Sequence, residues 1–263
     1  MRIVEVIVLI STVLAVALLI TVGFEHLVPS ERVRPVAEFY LNATYNPYEL
    51  RNYTAMSPEA VTAIVWDFRG LDTLFETSVF YLALIAGLAL TRGLLLERAE
   101  KSGHGLSIIV RTVTRITAPM IVAVGASIGL HGHLTPGGGF QGGSVIAVLP
   151  MVVIVVFSAS FLVIKGVTTT KLLVMRSLGL TGIGLTAVAV FLVGITLHMP
   201  AYVFQNIAKP DAQISMPYSV AGALISGTLW FFNIFEMFAV AAGFSIAFIA
   251  LMLARTLESS RGE

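Results

Sequence analysis

Cysteine is absent from this 263-residue chain. Its absence excludes disulfides, thiolate zinc sites and cysteine-held iron–sulfur clusters from the chain itself. Charge is scarce as well: 12% of residues are Asp, Glu, Lys or Arg, against roughly 25% in an ordinary soluble domain. The formal net charge is +1, and no basic tail of the kind that binds phosphate backbones is present. What the chain has in abundance is apolar surface, at 57% hydrophobic residues. So few charges cannot cover a water-soluble fold of this length, and lipid must be the solvent for most of it.

Crossing the hydrocarbon layer takes about 20 mainly apolar residues. Ile3–Val22 meets that length and lacks a small-x-small cleavage site, so it reads as a retained helix rather than a secretory signal. Ser144–Ile164 and Ser177–Leu197 qualify without an internal charge. Ile108–Leu130 qualifies if Arg111 and Arg115 snorkel from its end. Pro119 and Pro150 fall inside spans that neighbouring helices can support. The uncharged run Thr77–Thr91 has only 15 residues, about 22 Å of helix. That span must therefore take in Glu76, with Asp72, or Arg92. The last span runs to Ala254, with Glu236 one or two turns inside. The expected fold is an all-α polytopic membrane protein of about six transmembrane helices.

Lysine and arginine placement predicts the orientation. With both termini cytoplasmic, the inner side holds Arg2, Arg92, Arg98, Lys101, Arg111, Arg115, Lys165, Lys171, Arg176, Arg255 and Arg261. Arg32, Arg34, Arg51, Arg69 and Lys209 lie outside, eleven against five. Residues 23–70 form the one stretch of soluble character, an extracytoplasmic loop. Within it, Ser57-Pro58-Glu59 predicts a short helix capped by Ser57 and running toward Trp66.

His131 to Gly143 carries six glycines and a proline, which predicts a turn between spans. No Lys-Ser/Thr follows, so it is not a phosphate loop. Gly137, Gly138 and Gly139 serve either a tight connector or a re-entrant loop lining a cavity. Asp72 and Glu76 are four residues apart on one helix face, with Thr73 and Thr77 beside them, and together offer hard oxygen ligands to a passing cation or proton. Arg69, three residues from Asp72, equally predicts a salt-bridged helix start. A carboxylate inside the membrane costs on the order of 3 kcal/mol unless paired or hydrated, which makes Glu76 and Glu236 functional candidates. With this topology Asp72, Glu76, His131, His133 and Glu236 share the extracytoplasmic level, where histidine can relay protons. No residue set predicts a bound metal.

The run His131-Gly132-His133-Leu134-Thr135-Pro136-Gly137-Gly138-Gly139-Phe140-Gln141-Gly142-Gly143 resembles the signature of the B subunit of Mrp-type multisubunit sodium/proton antiporters. Upstream, Trp66-Asp67-Phe68-Arg69-Gly70-Leu71-Asp72-Thr73-Leu74-Phe75-Glu76-Thr77 resembles the carboxy-terminal part of the antiporter A subunit. The resemblance implies a fusion: a two-helix A-tail-like segment over residues 1–100 and a four-helix B-like domain over 101–263. Two departures stand out. Phe75 replaces the usual small glycine. The Gly-Thr…Phe-Asp pattern opening the last helix reads Gly227-Thr228…Phe232-Asn233, with Glu236 three residues on. Either the carboxylate has moved one turn, or Glu236 has another role.

Similar modules occur in archaeal membrane-bound hydrogenases and ferredoxin-dependent sulfur-reducing complexes. The resemblance thus implies a multi-pass subunit of the cell membrane, surrounded by other antiporter-type subunits and taking part in Na+ or H+ translocation. It would hold no cofactor of its own and would not be catalytic alone. The alternative function is a scaffold that packs the antiporter-like subunits without conducting ions. The resemblance is compatible with three parent complexes: a plain antiporter, a hydrogenase or a sulfur reductase.

Overall fold

The structure, a computed structural model, describes residues 3–27, 33–90 and 106–261. Arg2, Arg32, Arg92, Arg98 and Lys101, part of the orientation argument, lie outside the described residues. The chain forms two compact units, Met1–Phe39 and Tyr40–Glu263. Helix α1 (Ile3–Leu27) belongs to the first, and α2 (Pro35–Thr44) begins there. In the second unit α3 (Ala60–Thr62) runs into a π-helical segment, Ala63–Phe68. It is followed by α4 (Gly70–Leu90), α5 (Ile108–Leu130), α6 (Gly139–Val156), α7 (Ala159–Ile164) and α8 (Thr169–Leu197). A two-stranded hairpin, β1 (Ser219–Val220) and β2 (Ala223–Leu224), precedes α9 (Thr228–Arg261).

Six of these helices (α1, α4, α5, α6, α8 and α9) are long and apolar enough to span a bilayer. The chain is a multi-pass, predominantly helical membrane protein. Helix α9 packs against both α6 and α8, and α5 packs against α6. Small residues permit this closeness, as is common where lipid removes the hydrophobic drive between helices. A Cβ on Gly143 of α6 would lie 2.7 Å from the Met237 carbonyl oxygen, and one on Gly179 of α8 2.6 Å from that of Phe235. Of the spanning stretch of α9, 56% is buried, against 17% for α4 and α5. The latter two therefore leave most of their surface to lipid or to neighbouring chains.

Several expected boundaries move. The span predicted from Ser177 starts at Thr169, where Thr168 caps the helix by accepting from the Lys171 amide. Arg176, expected in a cytoplasmic loop, is thus inside α8 and only 1% exposed. The span predicted to Ile164 breaks at Phe157 and Ser158. The glycine-rich stretch turns only as far as Gly138. Gly137 takes a left-handed φ of +128°, while Gly139, Gly142 and Gly143 are already helical, where their missing side chains serve packing.

The loop of soluble character is corrected most. Thr54, Ala55, Met56 and Ser57 are buried. The helix cap is Glu59, accepting from the Thr62 amide; Ser57 Oγ instead donates to the His133 carbonyl at 2.8 Å. This segment is stitched to two others. Thr62 Oγ1 donates to the Gly132 carbonyl at 2.6 Å, and Ser226 Oγ donates to Met56 O at 2.6 Å. Buried Asn206 donates through Nδ2 to Ala55 O and accepts through Oδ1 from the Thr228 amide, both at 2.9 Å. Asn206 thereby satisfies an orphan donor at the start of α9. A core of Trp66, Phe232, Ile183, Ala187 and Leu229 seals the junction, with Trp66 and Phe232 stacked at 4.4 Å.

Candidate functional site

The π-helical segment, α4, the glycine turn, the start of α6 and α9 enclose a cavity of about 210 Å³. A water needs only about 10–15 Å³ on this measure, so the cavity has room for several. Thr73, Glu76, Gly137, Gly138, Asn233 and Glu236 line it, so six of the residues singled out in the sequence converge here. Thr62, Trp66 and Gln141 line it too.

Glu236 is 7% exposed. It lies on α9 against the first residue of α6, and a Cβ on Gly139 would be 2.7 Å from its Oε2. The positive end of the α6 dipole therefore faces a carboxylate. The Phe140 amide and the Trp66 indole are turned toward the same group, although Trp66 Nε1 stops short of a complete hydrogen bond. Asn233, one turn earlier, accepts from the Gly139 amide through Oδ1 at 3.1 Å and leaves Nδ2 without an acceptor. Two buried N–H groups that want oxygen partners, set at the wall of this cavity, mark a place for water.

The remaining candidates separate by position. Glu76 is exposed and borders the cavity. Asp72 is turned away, exposed and paired with Arg69, whose Nε donates to Asp72 Oδ2 at 2.8 Å. Thr73 Oγ1 donates to the Val65 carbonyl of the π-helical segment at 2.6 Å, and Thr77 Oγ1 to Thr73 O at 3.0 Å. His131 is exposed at the end of α5, with Nδ1 on the Ser127 carbonyl. His133 is buried, and its Nε2 lies 2.9 Å from the Leu224 carbonyl of the hairpin. A carbonyl can only accept, so Nε2 carries the proton. Burial pushes the His133 pKa below the usual histidine value, the Leu224 bond opposes this, and His131 adds to it. The ring is held neutral as a peg for the loop.

Sequence reading missed Asp67. Its Oδ2 is shut off from solvent without a hydrogen-bond partner. Burial raises its pKa from 3.8 to about 6, against the pull of Lys209. The folded state therefore holds this proton more tightly than an opened one. The resulting stabilisation is full below about pH 4 and is lost as pH rises through about 6. A two-unit shift corresponds to ~3 kcal/mol, so Asp67→Asn should raise thermal stability at pH 8 more than at pH 4.5. Equal shifts at both pH values would show that the carboxyl is not the cause.

Residues 109–246 match the family described as a domain related to the MnhB subunit of Na+/H+ antiporter. An uncharacterized protein of Methanocaldococcus jannaschii is 28% identical over 141 residues, 48% of this chain. The matched stretch spans about half, 53%, of that curated relative. Among solved structures, a chain of the membrane-bound sulfane sulfur reductase, an archaeal respiratory membrane complex, superposes with a TM-score of 0.61 at 25% identity. That match covers 94% of this chain and 96% of the other. A chain of the Mrp complex from Dietzia sp. DQ12-45-1b matches in fold, with a TM-score of 0.55 at 17% identity, over 95% of this chain and 26% of that one. With more than half of its residues inside the family match, the chain belongs to the family of domains related to the MnhB subunit of Na+/H+ antiporters.

Proposed function

We propose that this chain, a membrane subunit of an Mrp-type module, takes part in moving Na+ or H+ rather than only scaffolding its neighbours. The observation that carries the reading is the cavity, where two carboxylates from different helices meet across a glycine-walled space. A scaffold has no need of a buried carboxylate beside unsatisfied donors. In this reading Glu236 is the buried ion-exchange group, Glu76 the outer acceptor, and Asn233 and the glycine turn hold the wall.

The wider expectations belong to the same proposal. The partners are other antiporter-type subunits, in a plain antiporter or in a respiratory complex of the hydrogenase or sulfur-reductase kind. No cofactor is assigned to this chain. The fusion of an A-tail-like segment with a B-like domain is part of the same proposal and rests on the run Trp66 to Thr77.

Sealed vesicles carrying the complete complex supply the test. Glu76→Gln should lower coupled Na+ or H+ flux while the subunits still co-purify; unchanged flux would leave the scaffold reading. Orientation, with both termini cytoplasmic, is tested by single cysteines. Tyr48, 90% exposed, and Thr170, exposed at the start of α8, should label from opposite sides. Labelling of both from one side would overturn the topology.

A further inference from the structure

Arg176 lies in α8, 1% exposed. Its Nε and both Nη atoms are buried without a hydrogen-bond partner. The guanidinium is stacked instead on aromatic rings of α4, with Cζ 4.5 Å from the Tyr81 centroid and 5.3 Å from that of Phe80. Gly243 of α9 completes the pocket, and a Cβ there would lie 3.8 Å from Arg176 Cζ. No carboxylate among the described residues pairs with the charge. At 1% exposure a neighbouring subunit cannot reach it without unpacking the helices. An uncompensated buried charge is costly, and aromatic faces return only part of that cost.

Its place relative to the cavity gives it a use. On α4, Phe80 is four residues beyond Glu76 and on the same face, about 6 Å deeper. On α9, Gly243 is seven residues beyond Glu236, two turns on and about 10 Å deeper. The seam between α4, α8 and α9 therefore runs from two acids at the cavity to one fixed cation beneath them. Arginine stays charged where lysine would give up its proton. A permanent positive charge in a narrow, low-dielectric seam repels cations, as fixed arginines do in pores that exclude protons.

We propose that Arg176 is the charge barrier of this chain: it stops cations that reach Glu76 and Glu236 from leaking straight through the α4–α8–α9 seam. A cation taken up at the cavity must then leave sideways, toward a neighbouring subunit. The proposal rests on the ion-path reading of the cavity, but its test does not require pumping.

Proteoliposomes holding the complete complex, with no driving reaction, are given an imposed K+ diffusion potential, and passive Na+ and H+ entry is recorded. Arg176→Gln should raise this cation leak at least tenfold without raising chloride leak. Arg176→Lys should leak nearly as much, because a lysine buried there gives up its proton. Tyr81→Glu, which neutralises Arg176 in place, should leak as Arg176→Gln does and decides the matter if Arg176→Gln fails to assemble. Assembled variants as tight as the parent would overturn the proposal. So would loss of assembly in both, or a leak that passes chloride equally, since each assigns Arg176 to packing alone. Loss of coupled flux in Glu76→Gln tests the path itself, so the two failures are distinguishable.

Discussion

Glu236→Gln is expected to cut coupled cation transport by the assembled complex roughly tenfold or more, the effect of removing ~1.4 kcal/mol or more from the rate-limiting step. Gln has nearly the size and shape of Glu, so the close fit of residue 236 against Gly139 survives. What disappears is the negative charge and the ability to exchange a proton. The Phe140 amide and the Trp66 indole, both turned toward the carboxylate, can still donate to the Gln carbonyl oxygen. Folding and co-purification should accordingly remain close to the parent, which separates this variant from a packing defect. Flux measured per assembled complex is the readout. Glu236→Asp, which keeps the charge but draws it back from the α6 amides, should fall between the two.

The second large effect is structural. Gly179→Val should prevent stable accumulation of the chain or lower the thermal stability of the complex sharply. A Cβ at this position would lie 2.6 Å from the Phe235 carbonyl oxygen, 2.7 Å from the Ala239 amide nitrogen and 2.9 Å from Ala239 Cβ. Two of those neighbours are backbone, which has no rotamer to change. Overpacking against side chains costs about 1–3 kcal/mol; here the whole of α9 has to move. Since Phe235 adjoins Glu236, any variant that does assemble should also lose transport. Gly184→Ala is the control, because nothing lies within 4 Å of a Cβ there. Equal behaviour of the two variants in a thermal dissociation assay would contradict the packing described.

These contrasts show which parts of the fold were legible in the sequence. Helix α5 was read with its true ends, Ile108 and Leu130, because a long apolar run met a polar boundary on each side. Helix α8 was begun eight residues late, since Arg176 resembled a loop charge. Only the tertiary burial of that arginine between Tyr81, Phe80 and Gly243 reveals the helix beneath it. The glycine-rich run was half legible. Gly137 signals a turn through its backbone freedom, but Gly142 and Gly143 are glycines for another reason, the proximity of α5 and α9. Sequence alone does not separate the two uses.

The site followed the same division. The acids and the glycine turn declared themselves by being costly in a membrane, and Thr73, Glu76, Asn233 and Glu236 do meet in one cavity. Asp72 has the same chemistry as Glu76 and sits one turn away, yet its side chain is held outward by Arg69. Periodicity gave both residues one face; the ion pair decided between them. The setting of Asp67 depends on a π-helical segment, which shields one carboxyl oxygen, and on the charge of the distant Lys209. Neither has a local signature. Trp66 and Gln141 stood inside the quoted motifs, but a tryptophan or a glutamine in a membrane protein carries no default role.

On the proposed function, the cavity between the π-helical segment, α4, α6 and α9 is part of the cation route. Gln141 is exposed at its rim, and the chain has no native cysteine, so Gln141→Cys gives a single addressable thiol. A charged, membrane-impermeant thiol reagent applied to sealed vesicles from the extracytoplasmic side should label this cysteine and stop Na+ or H+ flux. The complex with Gln141 intact, treated identically, is the control and should keep its flux. Complete labelling of Cys at position 141 with flux unchanged would contradict the account.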